Sequence, residues 1–237
     1  MKKLPYNIKY TLTVLIIALI FNQGSYNGAK FIAGGWDHSD LSLPIDGIIP
    51  FVPWTITLYL ISYLIWLFFY TVISRGSEKE LKGMIEKENQ AGGYDRDRFF
   101  AADILSKIIC FIFFLALPTT LTRPVPGTET AIDTLVTFVY QVDSADNLFP
   151  SIHCIVSWLC WIGVRNRADL PSWLKNSALV LAILICISTL TTKQHVIIDV
   201  FGGILLAELC YFLTGFDSIR KLYTVPMKKL LKAVAKP

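Results

Sequence analysis

The run FVPWTITLYLISYLIWLFFYTVI, residues 51–73, is continuously apolar and carries no charged side chain. At 1.5 Å per residue, a helix of this length covers the roughly 30 Å of hydrocarbon in a bilayer. Four further apolar stretches, near 104–121, 148–164, 176–192 and 196–214, reach or approach the same length, and a sixth lies near 8–22. Composition agrees: 54% of the 237 residues are hydrophobic, 17% are charged and the mean hydropathy is +0.52, which excludes one soluble domain. The expected fold is all-α, a polytopic six-transmembrane-helix bundle forming a single membrane domain over 1–237.

Charge sets the expected orientation. With a cytoplasmic N-terminus and six crossings, the inner segments are 1–7, 74–103, 165–175 and 215–237, and they hold nearly all the Lys and Arg. Both termini are then cytoplasmic, and 216–237 is a basic tail whose spacing suits an amphipathic stretch on anionic headgroups or an orientation signal. The net charge of +4 is explained by this topology, not by nucleic acid. No small-x-small site follows Ile20, so the first apolar run reads as a retained helix, not a cleaved signal. The mixed-charge run from Arg75 to Arg98 reads as a solvated helix and turn closed by Gly92-Gly93. All five cysteines fall inside apolar runs, as small buried hydrophobes.

Only Lys30, Arg123 and Lys193 remain on the outer side, and two of them flank histidine motifs. His195 and Asp199 are four apart, so a helix starting here stacks them on one face. The carboxylate then fixes the imidazole tautomer and leaves the other ring nitrogen as nucleophile or base; a structural helix-end pair is the plainer use of the same spacing. An Asp inside an apolar helix is costly unless paired, which makes it a functional candidate. In Asp146-Asn147-Leu148-Phe149-Pro150-Ser151-Ile152-His153, Ser151 is a candidate N-cap. The helix N-terminus there is an anion site, with the backbone of Ser151 and Ile152 facing it, and His153 lies in its first turn as a candidate acid. Arg123, before Pro124, supplies a fork for phosphate oxygens, and Lys193 a second cation.

Phosphoryl transfer needs this inventory: a nucleophile, an acid for the leaving alkoxide and fixed positive charge for the equatorial oxygens. No H-x-x-x-H or C-x-x-C spacing is present, so the site is expected to work without a metal or other cofactor.

These motifs resemble the type 2 phosphatidic acid phosphatase superfamily. Arg123-Pro124 looks like its R-P element, Pro150-Ser151-Ile152-His153 its P-S-x-H element and His195 to Asp199 its H-x-x-x-D element, with the likeness covering about 45–215. The resemblance implies His195 as the nucleophile forming a phosphohistidine, Asp199 as its orienting partner and His153 as general acid. Ala116 and Thr189 stand where the family usually has a Lys and an Arg, and Ile152 where it usually has Gly. With the T-K-Q-H run, Ile45-Asp46 and Ile49-Pro50-Phe51, the chain looks closest to the inositol phosphorylceramide synthase-like branch, which includes phosphotransferases.

The expected activity is hydrolysis of a lipid phosphomonoester or pyrophosphate, such as phosphatidic acid or undecaprenyl pyrophosphate, on the extracytoplasmic side of a bacterial plasma membrane. The alternative is transfer of a phospho-headgroup between lipids. A non-catalytic transporter using Asp199, Glu208 and Lys107, or a regulatory partner, is the reading of another class. Asp37, His38 and Asp40 in the first outer loop read as solvated.

Overall fold

The computed structural model describes residues 6–75 and 96–235. They include eight helices: α1 (Tyr6–Ala33), α2 (Ile56–Arg75), α3 (Arg96–Ala116), α4 (Ala131–Val142), α5 (Ile152–Arg165), α6 (Ser172–Thr191), α7 (Ile197–Leu213) and α8 (Asp217–Ala235). Most of the mixed-charge run, including Gly92-Gly93, lies outside the described residues, as do residues 1–5 and Lys236. Among the described residues strand is confined to two short parallel segments, β1 (Ser39–Asp40) and β2 (Thr119–Thr120), which tie the loop after α1 to the end of α3.

Each of the six apolar stretches contains a helix, but they are not six equivalent spans. By length and apolarity four suit a crossing, Ile8–Ala33, Pro53–Arg75, Arg96–Ala116 and Ser172–Thr191, and α7 with α8, bent by 87°, adds a fifth if the pair is one span. α5 has 14 residues, a rise of about 21 Å, too short to cross hydrocarbon unaided. Eleven of those residues are buried, because α5 is the central helix and packs on α2, α3, α6 and α7.

Two elements differ from expectation. α1 does not stop near residue 22 but continues to Ala33, carrying the polar residues Asn22, Gln23 and Asn27 on a helix. α4 lies outside the six apolar stretches; it is an amphipathic helix whose N-terminus is closed by a reciprocal Thr130–Asp133 capping box. Its Val136 and Val139 pack on Ile56 and Tyr59 of the α2 end.

Close packing relies on two glycines. A Cβ on Gly203 of α7 would lie 2.8 Å from the Ser151 carbonyl oxygen, and one on Gly163 of α5 would meet Ile73 and Phe99. Gly202-Gly203 sits in unbroken α7, where Gly203 permits the close crossing with α5. Several polar groups inside the bundle are paired within and across helices. Lys107 donates to Asp103 at 2.9 Å, with Tyr70 on the same carboxylate oxygen at 2.7 Å. Glu208 accepts from Trp158 and from both Nη atoms of Arg165. All five cysteines are free and buried.

Candidate active site

The turn between α6 and α7 presents His195. After Thr191 the chain bends through Lys193 in the left-handed region (φ 52°), and the Gln194 and His195 amides both donate to the Thr189 carbonyl, at 2.9 and 3.1 Å. α7 then starts with Asp199 in its first turn, where one carboxylate oxygen, Oδ2, takes the Val196 amide at 3.0 Å and His195 Nδ1 at 3.2 Å. Asp199 is fully buried and its second oxygen has no partner among the described residues. The carboxylate therefore caps the helix and orients the imidazole together, so Nδ1 carries the hydrogen and Nε2 keeps its lone pair. Burial pulls the His195 pKa down, but the hydrogen bond and charge of Asp199 outweigh it and hold the pKa above the ordinary histidine value.

His153 comes from the first turn of α5. Ser151 caps that helix by accepting the Cys154 amide at 3.4 Å, and its own amide donates to the Asp199 carbonyl at 3.1 Å, joining the two motifs through backbone. The imidazole stacks on Tyr59, with ring centroids 4.1 Å apart, and also touches Tyr63 and Trp66. Its Nε2 is buried without a hydrogen bond, and its ring centre lies 6.2 Å from that of His195.

Both histidines open onto one cavity of about 350 Å³, which Arg123, Ile152 and Gln194 also line. Of the residues expected at the site, His195, His153, Arg123 and Ile152 thus meet at the cavity, with Asp199 behind His195. Ser151 is a buried cap, not a wall. Lys193 turns away: its ammonium donates to the carbonyls of Asp46 and Ile49, at 3.0 and 2.6 Å. There it clamps the loop whose Asp46 carboxylate caps α7 by accepting the Ile197 amide at 2.8 Å. Arg123 is also largely engaged, with the carbonyls of Asp143 and Ser144 and with Gln194 Oε1. Thr189 is buried and Ala116 exposed, and neither lines the cavity. Asp37, His38 and Asp40 are outside it too; His38 Nδ1 contacts the Trp36 carbonyl and Asp40 accepts from Ser42.

Several cavity residues escaped the sequence reading. Asp143, at the end of α4, accepts the hydroxyls of Tyr59 and of Tyr26, the latter at 2.7 Å. Burial works against its charge, but His153, the two hydroxyls and Arg123 together hold its carboxyl below the usual carboxylate range. Asn147 has φ 54° and a buried carboxamide. The signals were present: Asp143 and Asp146 are acidic residues just before a histidine motif, and Asn22, Gln23 and Asn27 break an apolar run at helical spacing. Among the described residues no three His, Cys, Asp or Glu side chains converge as metal ligands.

Residues 99–215 match the PAP2 superfamily. The PAP2 segment runs from the start of α3 to just past α7 and contains Arg123-Pro124, Pro150 to His153 and His195 to Asp199. α1 and α2, which bring Asn22, Tyr26 and Tyr63 to the cavity, lie outside the PAP2 match. No curated protein and no solved structure matches the chain.

Proposed function

We propose that this chain is an integral-membrane, metal-independent phosphohydrolase or phosphotransferase of the PAP2 superfamily that acts on a lipid phosphate through His195. One observation carries the reading: His195, oriented by Asp199 through Nδ1, faces a cavity shared with His153. Members of the superfamily are generally phosphatases or phosphotransferases.

In this reading His195 Nε2 attacks phosphorus. The N–P bond forms as the P–O bond to the leaving group breaks, and His153 gives that oxygen its proton. A water or a second alcohol then passes its proton to His153 and attacks phosphorus, releasing His195. Asp199 stabilises the imidazolium character that develops on His195 in both steps.

The position of Lys193 bears on the substrate. A phosphomonoester or pyrophosphate brings two or more negative charges, and among the described residues Arg123 is the one cation that lines the cavity beside its histidines, with Asp143 and Asp146 also lining it. A phosphodiester carries one charge. The cation inventory therefore favours a phosphodiester donor and transfer of its phospho-headgroup over the monoester hydrolysis expected from sequence. The orientation with the histidines outside and both termini in the cytoplasm is supported by Arg96, Arg98, Arg165, Arg167 and Lys175, which lie at or near the helix ends opposite the cavity.

The test is turnover by the full chain in detergent with EDTA, over phosphatidic acid, undecaprenyl pyrophosphate and phosphodiester lipids, for wild type and His195→Ala. Metal-independent turnover that is lost in the variant, with an acid-labile phosphoryl group trapped on the wild type, supports the reading. Equal turnover by both proteins, or none by either, sinks it.

A further inference from the structure

Past the end of α7 the chain turns sharply into α8. Arg98 of α3 donates from Nε and Nη2 to the Tyr211 carbonyl, at 2.9 and 2.8 Å, and satisfies one of the last carbonyls of α7. A Cβ on Gly215 would lie 3.0 Å from the same guanidinium, and α8 leaves at 87° to α7. With α7 crossing the bilayer, α8 therefore runs along the bilayer plane. Its Tyr223 and Met227, four apart and so on one face, join Tyr10, Val14 and Phe100 in the buried core, as α8 packs on α3 and α1. Val14 and Phe100 lie about 12 and about 6 Å in from the starts of α1 and α3. α8 thus rests against the side of the bundle at headgroup level and does not hang in the water beyond it.

The rest of the α8 surface is divided by chemistry. At about 100° per residue, Ile219, Leu222, Pro226 and Leu230 fall on one flank of the buried face, with Leu222 77% and Leu230 42% exposed. Lys221 and Lys228, seven apart, fall together on the other flank, and Lys229, beside Val225, faces away from the bundle; all three lysines are exposed. Arg220 is held by Asp217 within the first turn. We propose that α8 is a docking surface for anionic phospholipid, with the Leu222 flank in the acyl-chain boundary and the three lysines on lipid phosphates. A helix lying flat beside a bundle meets protein on one side, acyl chains on the second and headgroups and water on the third. The buried, apolar and basic sides of α8 follow that arrangement. As the second half of a broken span, α8 would carry Lys221, Lys228 and Lys229 into hydrocarbon, which is costly without partners. Zwitterionic lipid satisfies the apolar flank but brings no net charge to three ammonium groups, so an anionic headgroup is the matching chemistry. All of α8 lies outside the PAP2 match, and the surface is independent of the phosphoryl chemistry at the cavity.

Two measurements on the full chain in phosphatidylcholine bilayers test the surface. Nitroxide labels at Leu222→Cys and Lys228→Cys, with wild type as the control for the buried native cysteines, are read by collision with oxygen and with a water-soluble nickel chelate. The Leu222 label is expected to favour oxygen and the Lys228 label the chelate. In the second measurement, the share of spin-labelled phosphatidylglycerol that the protein immobilises is compared with that of spin-labelled phosphatidylcholine. Wild type at low salt is expected to prefer phosphatidylglycerol by about twofold or more, and the preference to shrink as salt is added. Lys221→Gln, Lys228→Gln and Lys229→Gln combined should bring that ratio close to one at an unchanged melting temperature, because all three side chains are exposed. A phosphatidylglycerol preference that the triple variant keeps overturns the docking surface, as does a Leu222 label open to the chelate. A Leu222 label shielded from both reagents overturns it in favour of a second copy of this chain on that flank.

Discussion

The imidazoles of His153 and His195 face one cavity with ring centres 6.2 Å apart and planes inclined by 55°, although 42 residues separate them in the chain. The two rings should fail differently. His195→Ala should abolish the enzyme-bound phosphoryl group for every substrate. His153→Ala should slow alkyl phosphate esters by about 10²–10⁴-fold yet spare an activated aryl ester, whose leaving group needs no proton. Rapid-quench trapping with the two leaving groups separates the roles, and an equal loss for both esters in His153→Ala would refute the acid assignment.

Asp199 raises the His195 pKa, and the nucleophile is the deprotonated ring, so wild-type kcat/KM should rise with pH through the His195 pKa, above the ordinary histidine value. Asp199→Asn removes the stabilising charge, lowers that pKa and moves the acid limb to lower pH. The plateau falls as well, by about 10²-fold or more, because the tautomer is no longer held. Stability follows the same sign. The folded-state pKa is raised, so the pair's contribution is fully present below the unfolded histidine pKa and is lost as pH rises through the folded value. Thermal melts of wild type and variant should therefore lie furthest apart at acid pH. A pH–rate profile whose acid limb does not move on substitution would contradict the pairing.

Lys193 clamps the loop of Asp46 and Ile49 and does not enter the cavity. Lys193→Gln is expected to cost about 1–3 kcal/mol of stability, as a charged hydrogen-bonding group leaves two carbonyls, while KM for the phosphate substrate changes by less than about threefold, well under the tenfold that 1.4 kcal/mol of lost binding would produce. A KM increase of tenfold or more with unchanged melting would restore Lys193 as a phosphate ligand.

Asp103 and Lys107 form an ion pair in the bundle interior, each about 1% exposed, with Tyr70 on the same carboxylate oxygen. Lys107→Met strands the carboxylate and should destabilise the protein by about 3–5 kcal/mol, whereas Asp103→Asn combined with Lys107→Met should recover most of that loss. Denaturant melts in one detergent measure both. A double variant no better than the single would show that the pair contributes more than mutual neutralisation.

Gly203→Ala forces a methyl group against the Ser151 carbonyl, which is backbone and cannot swing aside. A cost of about 1–3 kcal/mol is expected from the separation of α5 and α7. Because Ser151 and Asp199 are joined through backbone at this crossing, turnover should fall further than stability alone explains. Wild-type activity in the variant would mean that the crossing does not set the histidine geometry.

The helical membrane class was legible in the amino-acid order because a bilayer imposes a one-dimensional rule: apolar runs of sufficient length become helices whatever their neighbours. The His195–Asp199 pair was legible for a similar reason, since four residues make about one helical turn. Helix α5 shows where that local rule ends. The stretch 148–164 reads as a span from composition, yet its helix has 14 residues, eleven of them buried among the neighbouring helices. Lys193 marks the same boundary, because its distance to His195 is fixed by sequence while its direction is fixed by carbonyls 144 and 147 positions away. The cavity itself, with Asn22 from α1, Asp143 from the end of α4 and Asn147 from the loop before α5, was decided only by tertiary packing. Hydrogen bonds and burial between elements far apart in the chain leave no periodicity in the sequence, so local pattern named the candidate histidines and three-dimensional convergence chose what surrounds them.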